Sequence, residues 1–157
     1  MEEYEYSFKV DNISFYIKYC EDNSYKLISK CIQNRIVYEN IYNKNLIARI
    51  TKEIKDNIET TLFDCKNVSE NNKLLKISNE SIPIVIDDSN RKEIDSLIKV
   101  LGFLLVSDLE RIRYEYVLDD VKFEIDEYIK PKMNVVAIEG NKSKVDNIYN
   151  EIKKYCD

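Results

Sequence analysis

Polar and apolar side chains alternate from the first residues onward. The stretch "EEYEYSFKV" (2–10) sets Glu3, Glu5 and Ser7 on one face and Tyr4, Tyr6 and Phe8 on the other, the period-two pattern of a β-strand. The pattern returns in "RIRYEY" (111–116), where Arg111 and Arg113 share a face. It returns again in "VKFEIDEY" (121–128), where Lys122, Glu124 and Asp126 lie opposite Phe123 and Ile125. Further strands are predicted over 25–42 (long or bent), over 73–86 with Pro83 near the end, and over 134–140. Segments 45–54 and 58–68 predict a hairpin turning at Lys55-Asp56-Asn57. Segments 103–118 and 120–130 join at "LDD", and Pro131 breaks the second.

Three stretches change to the helical period. Asp11 or Asn12 can cap a short helix whose apolar face holds Ile13, Tyr16, Ile17 and Cys20. The stretch 88–103 predicts a helix capped by Asp88 or Ser89, striped by Ile94, Leu97, Ile98 and Leu101, and ended by Gly102. "KSKVDNIYNEIKKY" predicts a closing helix with Val145, Ile148, Tyr149 and Ile152 on one side. The sum is about eight strands and three helices, with short connections that favour antiparallel neighbours. Nearly every strand pairs an apolar face with a face of ionisable residues of mixed sign. A sheet open to water has this pattern, and so does a closed barrel with a polar lumen and helices packed outside. Alternation alone leaves both open.

Composition narrows the chemistry. A chain of 157 residues predicts one domain over 1–157, large enough for a real core. No apolar run approaches the roughly 20 residues needed to span a bilayer. The acidic N-terminus lacks the basic-then-apolar pattern of a secretion signal, so a cytoplasmic location with no membrane partner is expected. A net charge of −5 disfavours a general nucleic-acid surface while allowing a local basic cavity. The absence of histidine removes Ser-His and Cys-His catalysis. With Cys20, Cys31, Cys65 and Cys156 scattered, a structural zinc site is disfavoured and the thiols read as reduced. Only Gly102 and Gly140 are present, too few for a phosphate-cradling loop or a dinucleotide fingerprint. Any bound phosphate must be held by side chains.

The polar faces collect the acids Glu3, Glu5, Glu80, Glu124, Asp126 and Glu139 and the bases Arg49, Lys66, Lys76, Arg111 and Arg113. Enclosing these without partners would be very costly. Set as opposed walls, they suit one chemistry. Arginine and lysine grip phosphate oxygens by charge-assisted hydrogen bonds. Carboxylates two apart on a strand point the same way and can chelate Mg²⁺ or Mn²⁺. A metal bridging carboxylates to polyphosphate stabilises the charge that develops in phosphoryl transfer. Each piece also has an ordinary reading. Glu3 and Glu5 alone read as a solvated edge. Arginines facing Glu124 and Asp126 read as cross-strand ion pairs worth a few tenths to about 1 kcal/mol.

The ordered set changes that weighting: an ExE strand, "ARI", a strand reaching Lys66, "RIRYEY", "VKFEIDEY" and "VVAIEG". It resembles the CYTH superfamily, the triphosphate tunnel metalloenzymes. These include class IV adenylate cyclases, thiamine and inorganic triphosphatases, and some RNA 5′-triphosphatases. The resemblance spans almost the whole chain and is strongest over 111–140. It implies an α+β fold, a closed eight-stranded antiparallel β tunnel with a polar lumen and outer helices. Glu3 and Glu5 match the glutamates of the family's ExExK motif and would bind metal. Arg49 matches the first basic residue of its R-x-R/K strand, and Lys66 the lysine of the next. Arg111 and Arg113 match the strand that holds the triphosphate. Asp126, with Glu124, matches the acidic strand, and Glu139 the last glutamate of the terminal E-x-E; these too would serve the metal. Glu80 is a looser acidic match. Glu5 or Glu139 would position or activate water.

Three positions depart from the family pattern. Ser7 stands where ExExK has lysine, Thr51 where the second base follows Arg49, and Ala137 where the terminal pair has its first glutamate. Lys9 shares Ser7's parity but does not match the motif. The resemblance implies metal-dependent hydrolysis of tripolyphosphate or an organic triphosphate, with Mg²⁺ or Mn²⁺. An adenylate cyclase using the same tunnel is the alternative, and the thinned lumen also fits a phosphate-binding protein without turnover. A plain structural barrel stays open as well. The expected partner is a small triphosphate or nucleotide, with nucleic acid entering only as an RNA 5′-triphosphate end. The tyrosine-rich apolar surfaces permit a homodimer.

Overall fold

The computed structural model describes residues 2–71 and 74–155, so Cys156 lies outside the described residues. The chain runs β1 (Glu2–Val10), α1 (Ser14–Asp22), β2 (Lys26–Asn40), β3 (Leu46–Lys55), β4 (Ile58–Asn71), β5 (Leu75–Glu80) and β6 (Ile84–Val85). It continues with α2 (Arg91–Val100), β7 (Phe103–Leu118), β8 (Val121–Lys130), β9 (Met133–Gly140) and α3 (Lys142–Ile152). The antiparallel order is β3-β2-β7-β8-β9-β1-β5-β4, and β4 pairs back onto β3 from Leu46↔Asn67 to Lys55↔Ile58. Eight strands thereby close into a barrel. Two-residue β6 adds to β4 at Leu62 and Phe63.

Closure decides between the two readings of the alternation. In β8, Phe123 and Ile125 are buried on the outer face while Glu124 and Asp126 are buried on the inner one. An open sheet would leave those carboxylates in water. The outer wall is dry because helices cover it. Tyr16 and Cys20 of α1 and Val145 and Ile152 of α3 pack with Phe8, Phe123, Ile125, Val136 and Ile138. Ile94 and Ile98 of α2 pack with Ala48, Ile50 and Phe103 in a second cluster. Each Val, Ile or Phe side chain among them contributes about 1.5–3 kcal/mol on full burial. Apolar packing on the outside therefore holds the barrel, and the inner face is free to carry charge.

Turn chemistry fixes the register. Asp56 and Asn57 take φ of 52° and 64°, the left-handed pair that a tight hairpin turn needs. The hairpin lies where the sequence predicts it. Gly140 ends β9 at φ 139°, and a Cβ there would sit 2.1 Å from the Asp120 carbonyl oxygen. Only glycine lets the strand end that carries Glu139 approach β8 so closely.

Some elements differ from expectation. The 73–86 strand divides into β5 and β6, because Pro83 lacks the N–H that a continuous ladder requires. Before α2, Asp87 accepts from Ser89 N at 2.8 Å, and Asn90, not Asp88 or Ser89, occupies the cap. Leu97 and Leu101 are 52% and 54% exposed; only Ile94 and Ile98 of the expected stripe are buried, since α2 touches the barrel along a narrow line. Asn12 accepts from Ser14 N, but the cap position of α1 is Ile13. Among the described residues, no helix is long and apolar enough to cross a membrane.

Candidate functional site

The lumen is a cavity of about 440 Å³, within the range of roughly 300–1,000 Å³ usual for small-molecule sites. Its lining includes all nine site residues expected from sequence: Glu3, Glu5, Arg49, Lys66, Arg111, Arg113, Glu124, Asp126 and Glu139. Lys76 and Glu80 line it too, whereas Lys9 is exposed outside it. The sequence reading missed Gln33, Arg35, Glu53, Asp64, Glu115 and Tyr128 as lumen groups. It placed Lys122 on the polar face without giving it a role. Parity was the available signal: Gln33 and Arg35, Arg49 and Glu53, and Asp64 and Lys66 each share a face of their strands.

One wall is acidic. Glu5 of β1 pairs in register with Glu139 of β9, and Glu3 stands two residues away on the same face. Carboxylate oxygens of Glu3, Glu5 and Glu139 lie within 4.8 Å of one another. Glu3 Oε2 and Glu139 Oε2 are buried without a hydrogen-bond partner. Burial first, and Glu139 next, push the Glu3 carboxyl up to about 10. Burial also raises Glu5, helped by Glu124 and Glu139 against the pull of Lys66. Like charges so close repel one another, and a cation seated between them would relieve that repulsion. Hard oxygens at this spacing, two of them orphaned, fit Mg²⁺ or Mn²⁺.

The other charges are organised as pairs. Arg113 forks onto Asp126 at 2.8 and 2.9 Å and reaches Glu124 at 2.6 Å. Glu124 and Asp126, expected to serve the metal, are thus turned to the guanidinium. Burial alone would raise Glu124; Arg113, then Lys122, overcome it and hold the carboxyl down at about 2. Arg49 forks onto Asp64 and meets Glu80 at 3.0 Å. Lys66 lies 3.4 Å from Glu80 and 3.6 Å from Glu3. Lys122 meets Glu139 at 2.7 Å. Arg111 donates to Gln33 at 2.9 Å and to the Tyr128 hydroxyl at 2.6 Å, and its Nη2 is buried without a partner.

Several solved structures share this architecture. The PH1012 protein from Pyrococcus horikoshii superposes with a TM-score of 0.75 at 20% identity, covering 98% of this chain and 88% of that one. HpAC1 from Hippeastrum, an adenylyl cyclase candidate with dominant triphosphatase activity, aligns over 98% of this chain and 87% of its own at 12% identity and TM-score 0.65. A chain of the Schizosaccharomyces pombe Mediator head module aligns over 100% of this chain and 97% of its own, at 9% identity and TM-score 0.68. No protein-family model matches the sequence, and no curated protein matches it. The chain shares the fold of these proteins, a closed β tunnel with helices outside, as the resemblance to the CYTH superfamily implies. In this tunnel, the three departures from the motifs it resembles sit in the wall. Ser7 and Ala137 face each other across β1 and β9, and Thr51 lies opposite Arg35.

Proposed function

We propose that the tunnel hydrolyses the terminal anhydride of a triphosphate compound, tripolyphosphate or an organic triphosphate. The observation that carries this reading is the Glu3, Glu5 and Glu139 cluster inside a closed lumen rich in guanidinium groups. Those three carboxylates would hold Mg²⁺ or Mn²⁺. When bound there, the cation supplies Lewis-acid polarisation and charge neutralisation at phosphate oxygens. The chain's own residues then do the rest. Arg111 offers an unused N–H through its Nη2. A guanidinium carries five donors, so Arg113 and Arg49 can receive phosphate oxygens beside their carboxylate partners, and Lys66 adds a mobile charge. Glu5 or Glu139 orients the attacking water and takes its proton. The water oxygen bonds to the terminal phosphorus as the anhydride P–O bond breaks, releasing orthophosphate and the shortened phosphate chain. Enclosure strengthens each of these electrostatic contacts relative to water.

Ser7, Thr51 and Ala137 favour a second reading, in which triphosphate binds and turnover is slow or absent. The HpAC1 likeness keeps a third: the ribose 3′-hydroxyl of ATP attacks the α-phosphorus, pyrophosphate leaves and cyclic AMP forms. One assay separates them. Phosphate release from tripolyphosphate, ATP and thiamine triphosphate is measured with Mg²⁺ or Mn²⁺, alongside cyclic AMP. Release that Arg113→Ala and Glu5→Ala each lower supports hydrolysis by this site; release that neither variant changes rejects these roles. Cyclic AMP would select the cyclase, and a ligand-induced rise in Tm without product would select the binder.

A further inference from the structure

We propose that Arg35 is a phosphate-binding residue of the tunnel, supplying from β2 the positive charge that Thr51 lacks on β3. This rests on the reading that the lumen takes a triphosphate. In the family pattern the second base sits on the strand of Arg49, two residues on, where this chain has Thr51. Arg35 and Thr51 are direct cross-strand partners. Arg35 Nε donates to Thr51 Oγ1 at 2.9 Å, so the threonine steadies the guanidinium that takes its place. Arg35 is half-buried and lines the cavity.

Its lack of an acidic partner sets it apart. Arg49 and Arg113 are each forked onto a carboxylate, and Arg111 has Asp126 at 3.6 Å. Among the described residues, Arg35 has no carboxylate within ion-pair distance, and its only hydrogen bond is the one to Thr51. A cation withdrawn from water without a counter-ion is costly. Burial first, then the guanidiniums of Arg111, Arg49 and Arg113, disfavour its charge. An oxyanion seated between Arg35 and the orphaned Nη2 of Arg111 would relieve both.

The topology places that seat usefully. Strand β2 lies four strands from β1 in either direction round the eight-stranded ring. A polyphosphate with one end at the Glu3, Glu5 and Glu139 cluster therefore meets Arg35 on the facing wall. Like the other bases of the lumen, Arg35 belongs to a binding surface, but it comes from a strand that the motif pattern does not assign to it.

The test is calorimetric titration of the full chain with inorganic tripolyphosphate in Mg²⁺, with the ligand-free Tm as a second readout. Arg35→Gln keeps a donor for Thr51 and removes the charge. It is expected to weaken binding by about tenfold or more without lowering the ligand-free Tm. The transposed variant, Arg35→Thr with Thr51→Arg, is expected to bind within about threefold of wild type, because coupled changes at a contacting pair compensate. Arg35→Gln binding like wild type would overturn the Arg35 assignment alone, as would a lowered Tm with unchanged affinity, which marks a structural role. If Arg35→Gln does not fold, the transposed variant decides: restored affinity supports the assignment and lost affinity overturns it. A folded wild-type chain that binds no tripolyphosphate would overturn the triphosphate reading, and this inference with it.

Discussion

Ser7 of β1 stands directly across from Ala137 of β9. These are the positions where the family motif has lysine and glutamate, so the two losses fall on one cross-strand pair. Side chains so placed sit about 4.5–5.5 Å apart at Cβ, close enough for the missing lysine and glutamate to have been each other's partner. Removing both leaves no stranded charge. Ala137→Glu alone adds a carboxylate next to Glu124 and Glu139. It should cost about 1–3 kcal/mol in urea unfolding. Adding Ser7→Lys should recover much of that, with a coupling of about 1 kcal/mol in the double-mutant cycle. Additive effects would show that the two positions do not communicate.

The acidic cluster predicts a metal response that separates charge from packing. Burial, and then Glu139, push the Glu3 carboxyl up to about 10 and so favour its neutral form. Glu3→Gln copies that neutral form. Metal-free stability should therefore change by less than about 0.5 kcal/mol. A divalent ion, by contrast, needs the carboxylate. Wild type should gain about 2.7 kcal/mol at a metal concentration 100 times Kd, and Glu3→Gln should lose most of that gain. Thermal melts with and without Mn²⁺ check it; an undiminished Mn²⁺ shift in the variant removes Glu3 from the ligand set.

How much of this was readable in the sequence follows from what alternation encodes. Period two assigns each residue to a face of its strand, and Glu3, Glu5, Arg111, Arg113, Glu124 and Asp126 all line the lumen. Closure was not encoded there: the pairing of Leu46–Lys55 with Ile58–Asn71 that shuts the ring is a hairpin in either architecture. The ordered motif set supplied the barrel. Partner choice was also hidden. Asp64 became visible as the fork beneath Arg49 only once β3 and β4 were in register, and Arg35 only once it met Thr51. Leu97 and Leu101 misled for the opposite reason: an apolar stripe is wider than the line of contact that a helix makes on a curved wall.

Acid should loosen the tunnel at Glu124. Its folded pKa, about 2, is depressed below the usual glutamate value of about 4.3. The stability it confers is present above the unfolded value and is lost as pH falls from there towards the folded one. The loss is on the order of 2–3 kcal/mol. Urea midpoints measured between pH 5 and pH 2.5 should fall steeply for wild type. Glu124→Gln should start lower and give a flatter curve, since it has no proton to take up. Parallel curves for the two proteins would remove Glu124 as the source.

Arg113 lets stability and binding be pulled apart. Its guanidinium satisfies Asp126 and Glu124, both buried. Arg113→Ala leaves Asp126 only Arg111 at 3.6 Å and Glu124 only Lys122 at 3.8 Å, and should cost about 3–5 kcal/mol. A lost activity in that variant would then have two causes, a missing phosphate ligand and a damaged wall. The triple variant Arg113→Met, Glu124→Gln and Asp126→Asn removes the cation and neutralises both acids together. It should recover most of the lost stability, because neutral groups of similar volume replace a buried ion triad at little net cost. Tripolyphosphate binding should nonetheless stay weakened by about tenfold or more, since the charge that faces the lumen is gone. Urea unfolding and calorimetric titration on the same preparations report the two quantities separately. Recovery of affinity along with stability would mean that Arg113 serves the wall and not the phosphate.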